Sequence, residues 1–236
     1  NAIGVSARRD AVMGLLGMCN RGRLHCSCVD TGATALHRFG RLLRSWGEDE
    51  VWGLLDLGSR QSRLILCMGE APILIRHTGD GGHSWTERIA EVLQLSPSAA
   101  EIQKKSHGVA ILGRREGRES AEPVTPATAD FQHDEVAVML LSALRSELNE
   151  MAGEIKRSYE YVLSSYPGRR AGDLVLVGGG ASMPHLPEFL SGILGITVRR
   201  CSAYLNDPRC RIRFTAQGRN SMEEFATAVG LAVTEP

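Results

Sequence analysis

Short apolar runs that end in glycine turns are the main feature of the hydrophobic pattern along the chain. Val51–Leu57 and Ser62–Met68 flank Gly58 and predict an antiparallel hairpin, because apolar runs of this length bounded by glycine are typical of buried strands. Asp173–Val177 has the same character and ends in three glycines. Further strands are predicted at Ala2–Val5, Leu24–Val29, Ile73–His77 and Ile196–Arg199.

Between these runs, apolar residues recur every three or four positions, which is the spacing of a helix with one buried face. The segment from about Arg114 to Asp130 is charged and then rich in proline, threonine and alanine, which predicts a loop. Strands and helices that alternate in this way predict an α/β fold. Helices are predicted at Ala7–Asn20, from the Asp30-Thr31 cap to Leu43, from Trp85 to Leu93, and at Ser96–Lys105, Glu135–Ser164, Leu186–Leu194 and Ser221–Val233.

Charge and composition argue against several classes of function. The chain has 236 residues, with 27 basic and 27 acidic side chains and only 5% aromatic residues. It therefore has neither the basic surplus nor the aromatic platform of a nucleic-acid-binding protein. No apolar stretch approaches the ~20 residues needed to span a bilayer, so we expect no direct membrane insertion.

The six cysteines are scattered along the chain. Cys26 and Cys28 are two positions apart, so on the predicted strand Leu24–Val29 they would point to the same face. No second pair and no histidine cluster completes a metal site in the sequence. We therefore expect reduced, non-ligating thiols, in agreement with a cytoplasmic protein.

Two glycine segments carry the candidate chemistry. In the first, Asp56 ends a strand and is followed by Gly58 and Ser59, so that its carboxylate could hold a hydrated metal ion or orient a water. In the second, a strand runs into Gly178, Gly179, Gly180 and Ala181 before a predicted helix, an arrangement that cradles anions and ribose. Each segment alone is also consistent with an ordinary turn.

Together the two segments resemble the second phosphate motif and the adenosine motif of the actin-like ATPase superfamily. Four further segments resemble the PilM and FtsA branch of that superfamily. They are Gly81-Gly82 with Trp85-Thr86, Ala226–Ala232, the A-E-x-x-K sequence Ala100–Lys104, and the E-I-x-R-S sequence Glu154–Ser158. The A-E-x-x-K and E-I-x-R-S sequences favour a PilM-like protein over an FtsA-like one.

The resemblance implies an α/β fold of the actin-like ATPase, or ribonuclease-H-like, type. The chain would hold the second half of that fold and part of the first, with a helical inserted subdomain. No D-x-G sequence of the first phosphate motif is found near the start, so we expect an N-terminally truncated chain. The implied domains are 1–50 (remainder of subdomains IC and IA, with the first connecting helix), 51–80 with 155–220 (IIA), 81–154 (IIB), and 221–236 (second connecting helix).

The resemblance also implies ATP and Mg²⁺ as cofactors. Asp56 would hold magnesium through water, and Gly58 and Ser59 would offer backbone N–H groups to the phosphates. Glu101 and Lys104 would hold the ribose or the edge of the base. The glycine turn, Gly178, Gly179, Gly180 and Ala181, would let the backbone approach the adenosine.

The function implied is a cytoplasmic ATP-binding adaptor of type IV pilus or type II secretion-like assembly, peripheral to the inner membrane. Its partner would be the N-terminal cytoplasmic tail of a PilN-like membrane protein, its ATP hydrolysis would be weak or absent, and homo-oligomerisation is left open. Two alternatives remain. Arg60 and Gln61 stand in the phosphate turn, which suits a nucleotide-free degenerate scaffold of the same fold. A small-molecule kinase or ATPase of the superfamily is less consistent, because no catalytic base set is recognisable.

Overall fold

The computed structural model describes residue 4 and residues 6–110, 131–213 and 222–233. The loop predicted from Arg114 to Asp130 lies outside these residues, as does all but one residue of the strand predicted at Ala2–Val5. No helix in the described residues combines the length and apolar character needed to cross a membrane.

A five-stranded mixed sheet forms the centre of the described structure. The strands are β1 (Glu50–Leu57), β2 (Gln61–Met68), β3 (Ala71–Asp80), β4 (Arg170–Val177) and β5 (Val198–Arg200). Their order across the sheet is β3-β2-β1-β4-β5. The first three strands pair antiparallel, while β4 is parallel to both β1 and β5. The predicted hairpin around Gly58 is confirmed, with Leu57 opposite Ser62.

Helices cover both faces of this sheet. The helices are α1 (Arg9–Arg21), α2 (Gly32–Leu43), α3 (Gly82–Leu93), α4 (Pro97–His107), α5 (Phe131–Ser165), α6 (Leu186–Leu194) and α7 (Met222–Ala232). Strand β1 is buried on both sides: Leu55 and Leu57 join the core beneath α3, α5 and α6, while Trp52 and Leu54 join the core beneath α2 and α7. This double burial explains why β1 reads as a continuous apolar run and not as an alternating one.

Helices α2 and α7 pack at very close range through a glycine. A β-carbon built on Gly230 would lie 1.9 Å from the carbonyl oxygen of Ala35, so only glycine fits there. Arg38 Nε also donates to the Gly230 carbonyl at 3.0 Å. The Thr31 side chain caps α2 by accepting from the Thr34 N–H, as the sequence predicts.

Two sequence predictions need correction. Leu24–Val29 is largely exposed and forms no strand, because no neighbouring strand in the described residues supplies its hydrogen bonds. The prediction that Cys26 and Cys28 point to the same face of a strand is therefore also wrong. Helix α3 begins at Gly82 and not at Trp85. The predicted helix Leu186–Leu194 is confirmed as α6, and the glycines before it form a 3₁₀ turn, Gly179–Ser182.

Candidate functional site

The sheet topology brings the two glycine segments together. Strands β1 and β4 are parallel neighbours with Asp56 opposite Val177, so both strands end at the same edge. The turn after each strand borders a cleft of ≈ 430 Å³. The other walls come from the start of α3, from α4 and from the start of α7. The cleft is lined by Gly58, Ser59, Gly82, His83, Trp85, Thr86, Pro97, Glu101, Lys104, Lys105, Gly179, Gly180, Ser182, Met183 and Glu224.

The three glycines after β4 have different roles. Gly178 adopts φ = 85°, and a β-carbon there would lie 2.6 Å from the Leu57 carbonyl oxygen. A β-carbon on Gly180 would lie 2.9 Å from Leu57 Cβ, whereas one on Gly179 would meet nothing within 4 Å. Gly178 and Gly180 are therefore required for the turn to pack against β1. Gly179 instead faces open space at the cleft, while Ala181 is fully buried and does not line it.

Asp56 lies behind the cleft wall and not on its lining surface. Burial raises the pKa of its carboxyl group, and the Arg63 guanidinium opposite it on β2 offsets this effect in part. The described residues contain no group of three side chains able to ligate a metal ion. Asp56 is thus a single, partly desolvated carboxylate, which suits a metal ion held through water better than one held directly by the protein.

The Gly58–Ser59 turn is joined to the start of α3. The N–H groups of Gly82 and His83 donate to the carbonyl oxygens of Gly58 and Ser59, at 2.9 and 2.8 Å. A β-carbon on Gly81 would lie 2.4 Å from each of these two oxygens, so the contact requires glycine. These bonds satisfy N–H groups in the first turn of α3, which have no partner within the helix, and they hold the Gly58–Ser59 turn against the start of α3.

Glu101 and Lys104 form a buried network between α3 and α4. Lys104 is 6% exposed, and its ammonium donates to the Gly82 carbonyl at 2.6 Å, to Thr86 Oγ1 at 2.6 Å and to Glu101 Oε2 at 2.7 Å. All three of its protons are thereby used. Burial lowers the pKa of Lys104, and the neighbouring Glu101 carboxylate counteracts this.

Glu101 keeps part of its carboxylate at the cleft surface. Burial alone would raise the pKa of Glu101, but hydrogen bonds from Lys104 and Thr86 outweigh it and lower the pKa to about 2. Its other oxygen, Oε1, lies 3.2 Å from Lys105 Nζ. At neutral pH the cleft therefore presents an ionised carboxylate that can accept hydrogen bonds from a ligand's hydroxyl groups.

The structure thus brings six of the nine sequence-predicted site residues to one cleft: Gly58, Ser59, Glu101, Lys104, Gly179 and Gly180. Asp56 and Gly178 lie directly behind it, and Ala181 is in the core. Of the other lining residues, Gly82, Trp85 and Thr86 belong to a motif named from the sequence, whereas sequence reasoning missed His83, Pro97, Lys105, Ser182, Met183 and Glu224. Ser182 and Met183 directly follow the glycines and could have been included, but Glu224 is far away in sequence and comes to the cleft only through the packing of α7.

Comparisons with known proteins agree with this geometry. The sequence model of the family described as "Cell division protein FtsA" matches residues 53–230. A solved structure titled "PilM-PilN type IV pilus biogenesis complex" shares 26% identity and a TM-score of 0.68 over 98% of this chain and 60% of that one. No protein with curated annotation matches the chain significantly in sequence.

Two more distant structures support the fold. The ethanolamine utilization protein EutJ from Carboxydothermus hydrogenoformans is 15% identical, with a TM-score of 0.59 over 98% of this chain and 63% of its own. MreB5 of Spiroplasma citri bound to ADP is 12% identical, with a TM-score of 0.58 over 98% of this chain and 66% of its own. The chain thus spans about two thirds or less of the length of these proteins. The actin-like α/β fold predicted from the glycine motifs is confirmed.

Proposed function

From the premise that the chain belongs to the FtsA family and is PilM-like, we propose that the full-length protein is a cytoplasmic adaptor of type IV pilus or type II secretion-like assembly. It would bind ATP with Mg²⁺ and lie at the inner membrane through the N-terminal cytoplasmic tail of a PilN-like membrane protein. The likeness to the PilM–PilN complex supports the partner, since that structure matches nearly the whole chain.

The observation that carries nucleotide binding is the open cleft between Gly58–Ser59, Gly179–Gly180 and Glu101. The residues present fit the ligand. Glu101 is ionised and faces the cleft, which suits hydrogen bonds from ribose hydroxyl groups. The exposed backbone at Gly179 allows a base or sugar to approach without a β-carbon in the way.

Magnesium would be held near Asp56 through water, where it would neutralise phosphate charge. Lys104 has no proton left for a ligand, so in this proposal it holds Glu101 in place. Residues 81–154 would form the inserted subdomain IIB above a IIA subdomain made of 51–80 and 155–220. Residues 1–50 would be the remainder of subdomains IC and IA with the first connecting helix, and residues 221–236 would be the second connecting helix returning to IA. Hydrolysis of ATP would be weak or absent.

Binding of Mg-ATP to the full-length protein, measured by calorimetry, tests the nucleotide part of the proposal. Binding of a peptide copied from the cytoplasmic tail of the PilN-like protein of the same genome, measured with and without Mg-ATP, tests the adaptor part. Saturable binding in both assays is expected. Failure of one assay leaves the other proposal standing, because the two ligands are measured separately.

One observation favours a nucleotide-free scaffold as the second candidate. Arg60 is exposed in the turn beside Gly58 and Ser59, and it forms no ion pair within the described residues. A long charged side chain thus stands where several members of the superfamily have a small or hydroxylated residue that touches phosphate. If full-length protein binds the tail peptide but not Mg-ATP, and Arg60→Ser restores nucleotide binding, the scaffold is the correct function.

A further inference from the structure

A second recess lies behind the cleft, between the end of β3 and the middle of α5. It has a volume of ≈ 210 Å³. Asp80 and Glu150 are exposed at its mouth, whereas Trp85 and Met151 are 2% and 3% exposed and form apolar walls. We call it the acidic recess and define it by six of its lining residues: Thr78, Asp80, Trp85, Glu147, Glu150 and Met151.

Two polar atoms inside the acidic recess are unsatisfied. Thr78 is 2% exposed, and its Oγ1 has no hydrogen-bond partner among the described residues. Glu147 Oε2 is also buried without a partner, although Arg88 Nε lies 3.4 Å from the other oxygen, Oε1. Buried polar atoms of this kind are rare in folded proteins, since leaving them unpaired is unfavourable. A ligand with hydrogen-bond donors that entered the recess would supply both atoms with partners.

The surrounding chemistry selects the kind of donor. Three carboxylates, of Asp80, Glu147 and Glu150, call for a cation, but they do not converge into a group able to ligate a metal ion. The walls contributed by Trp85 and Met151 would pack best against a flat or apolar surface of a ligand. A guanidinium group combines positive charge, five hydrogen-bond donors and a weakly hydrated face that stacks on aromatic rings.

We propose that the acidic recess is a binding site for a guanidinium group. The carboxylates accept its N–H bonds, Thr78 Oγ1 and Glu147 Oε2 gain their missing partners, and Trp85 contacts its face. The acidic recess is a different space from the nucleotide cleft, and this proposal does not depend on nucleotide binding. The two spaces share Trp85, which lines both of them.

The test is a titration of the full-length protein followed by NMR, with the Trp85 indole N–H and the backbone N–H groups of residues 78–80 as reporters. One probe is agmatine, a free guanidinium compound. A second is the tripeptide acetyl-Gly-Arg-Gly-amide, and its citrulline analogue is the uncharged control. Saturable shifts with agmatine or the arginine peptide, and none with the citrulline peptide, are expected. Tighter binding of the peptide than of agmatine assigns the source as an arginine side chain of a protein, and the reverse assigns a free metabolite.

Variants test whether guanidinium binding depends on the acidic recess and not on acidic side chains elsewhere on the surface. Glu147→Gln is expected to weaken guanidinium binding roughly 10-fold, as expected for loss of a charge-assisted hydrogen bond. Thr78→Val, which keeps the shape of the side chain, should weaken it to a smaller extent. Glu91→Gln is the matched control, because Glu91 also pairs with Arg88 but does not line the recess. Absence of saturable binding at millimolar concentration, equal binding of the citrulline peptide, or equal effects of Glu91→Gln and Glu147→Gln would overturn the proposal.

Discussion

The carboxylate of Asp56 lies directly against Gly178, since a β-carbon built on Gly178 would stand 2.8 Å from Asp56 Oδ1. These residues are more than 120 positions apart in the sequence, but their strands are parallel neighbours. The contact leaves no room for a β-carbon at Gly178, whose positive φ also favours glycine. It also means that a metal ion held near Asp56 and a nucleotide lying on the Gly179–Gly180 backbone would share one edge of the sheet.

Gly179→Val should abolish Mg-ATP binding by the full-length protein while leaving its melting temperature nearly unchanged. A β-carbon built at this position meets no protein atom within 4 Å, and Gly179 lines the cleft. Calorimetry and thermal melting on the same preparation check both parts. The neighbouring change Gly178→Ala is the comparison, and it should lower the stability by ~1–3 kcal/mol because φ = 85° is strained for alanine and Leu57 lies in the way. A Gly179→Val protein that melts early and still binds ATP would contradict the assignment.

Asp56→Asn should raise the melting temperature of the nucleotide-free protein while removing the magnesium-dependent part of its ATP affinity. Burial raises the pKa of Asp56, so the ionised carboxylate destabilises the folded protein at neutral pH. Removing this buried charge is expected to raise the melting temperature by roughly 1–4 °C. Asp49→Asn, a change in an exposed ion pair with Arg170, is the control and should alter neither property much. Loss of stability in Asp56→Asn would show that the carboxylate is structural.

Lys104→Met should destabilise the protein by ~1–3 kcal/mol, because it leaves the Gly82 carbonyl, Thr86 and Glu101 without their common donor. Lys105→Met is the matched control. Its ammonium also lies near Glu101, at 3.2 Å, but the side chain is 61% exposed, so little change is expected. Urea unfolding of the two variants side by side makes the comparison. Equal effects would mean that burial of Lys104 is unimportant for linking α3 to α4.

Acid should remove a component of stability that depends on Glu101. The folded pKa is about 2, below the ordinary value of 4.5, so the contribution is complete above pH 4.5 and is lost as the pH falls from 4.5 towards 2. Urea midpoints of wild type and Glu101→Gln, measured across this range, should therefore converge as the pH falls. Curves that stay parallel would show that Glu101 is not held in its ionised form by Lys104 and Thr86.

Gly230→Ala should be strongly destabilising, by about 2 kcal/mol or more, since its new methyl group would overlap the Ala35 carbonyl and force α2 and α7 apart. Gly192→Ala on α6 is the control, because a β-carbon there meets nothing within 4 Å and alanine favours the helix. Chemical unfolding of both variants checks this. A stable Gly230→Ala protein would indicate that α7 is positioned differently from the structure described.

Local sequence patterns predicted most strands and helices correctly. They failed where the formation or length of a strand depends on pairing with a neighbouring strand. The hairpin around Gly58 was predictable because β1 and β2 are adjacent in sequence and share a turn that favours glycine. Leu24–Val29 has a similar local pattern but forms no strand, because a strand exists only where a neighbour completes its hydrogen bonds. The longer extent of β3, to Asp80, depends in the same way on its pairing with β2.

By itself, the sequence determined the α/β fold and both glycine turns, because apolar periodicity and glycine conformations are local properties, whereas Glu101 and Lys104 were implied only by the resemblance to the family. Only the tertiary structure decided which role each of these residues has. It separated Gly179, which faces the cleft, from Gly178 and Gly180, which pack against β1. It enclosed Lys104 in a network with Glu101 and Thr86, and it formed the acidic recess from β3, α3 and α5. Burial and the distance between atoms from separate elements set these roles, and neither can be read from spacing along the chain.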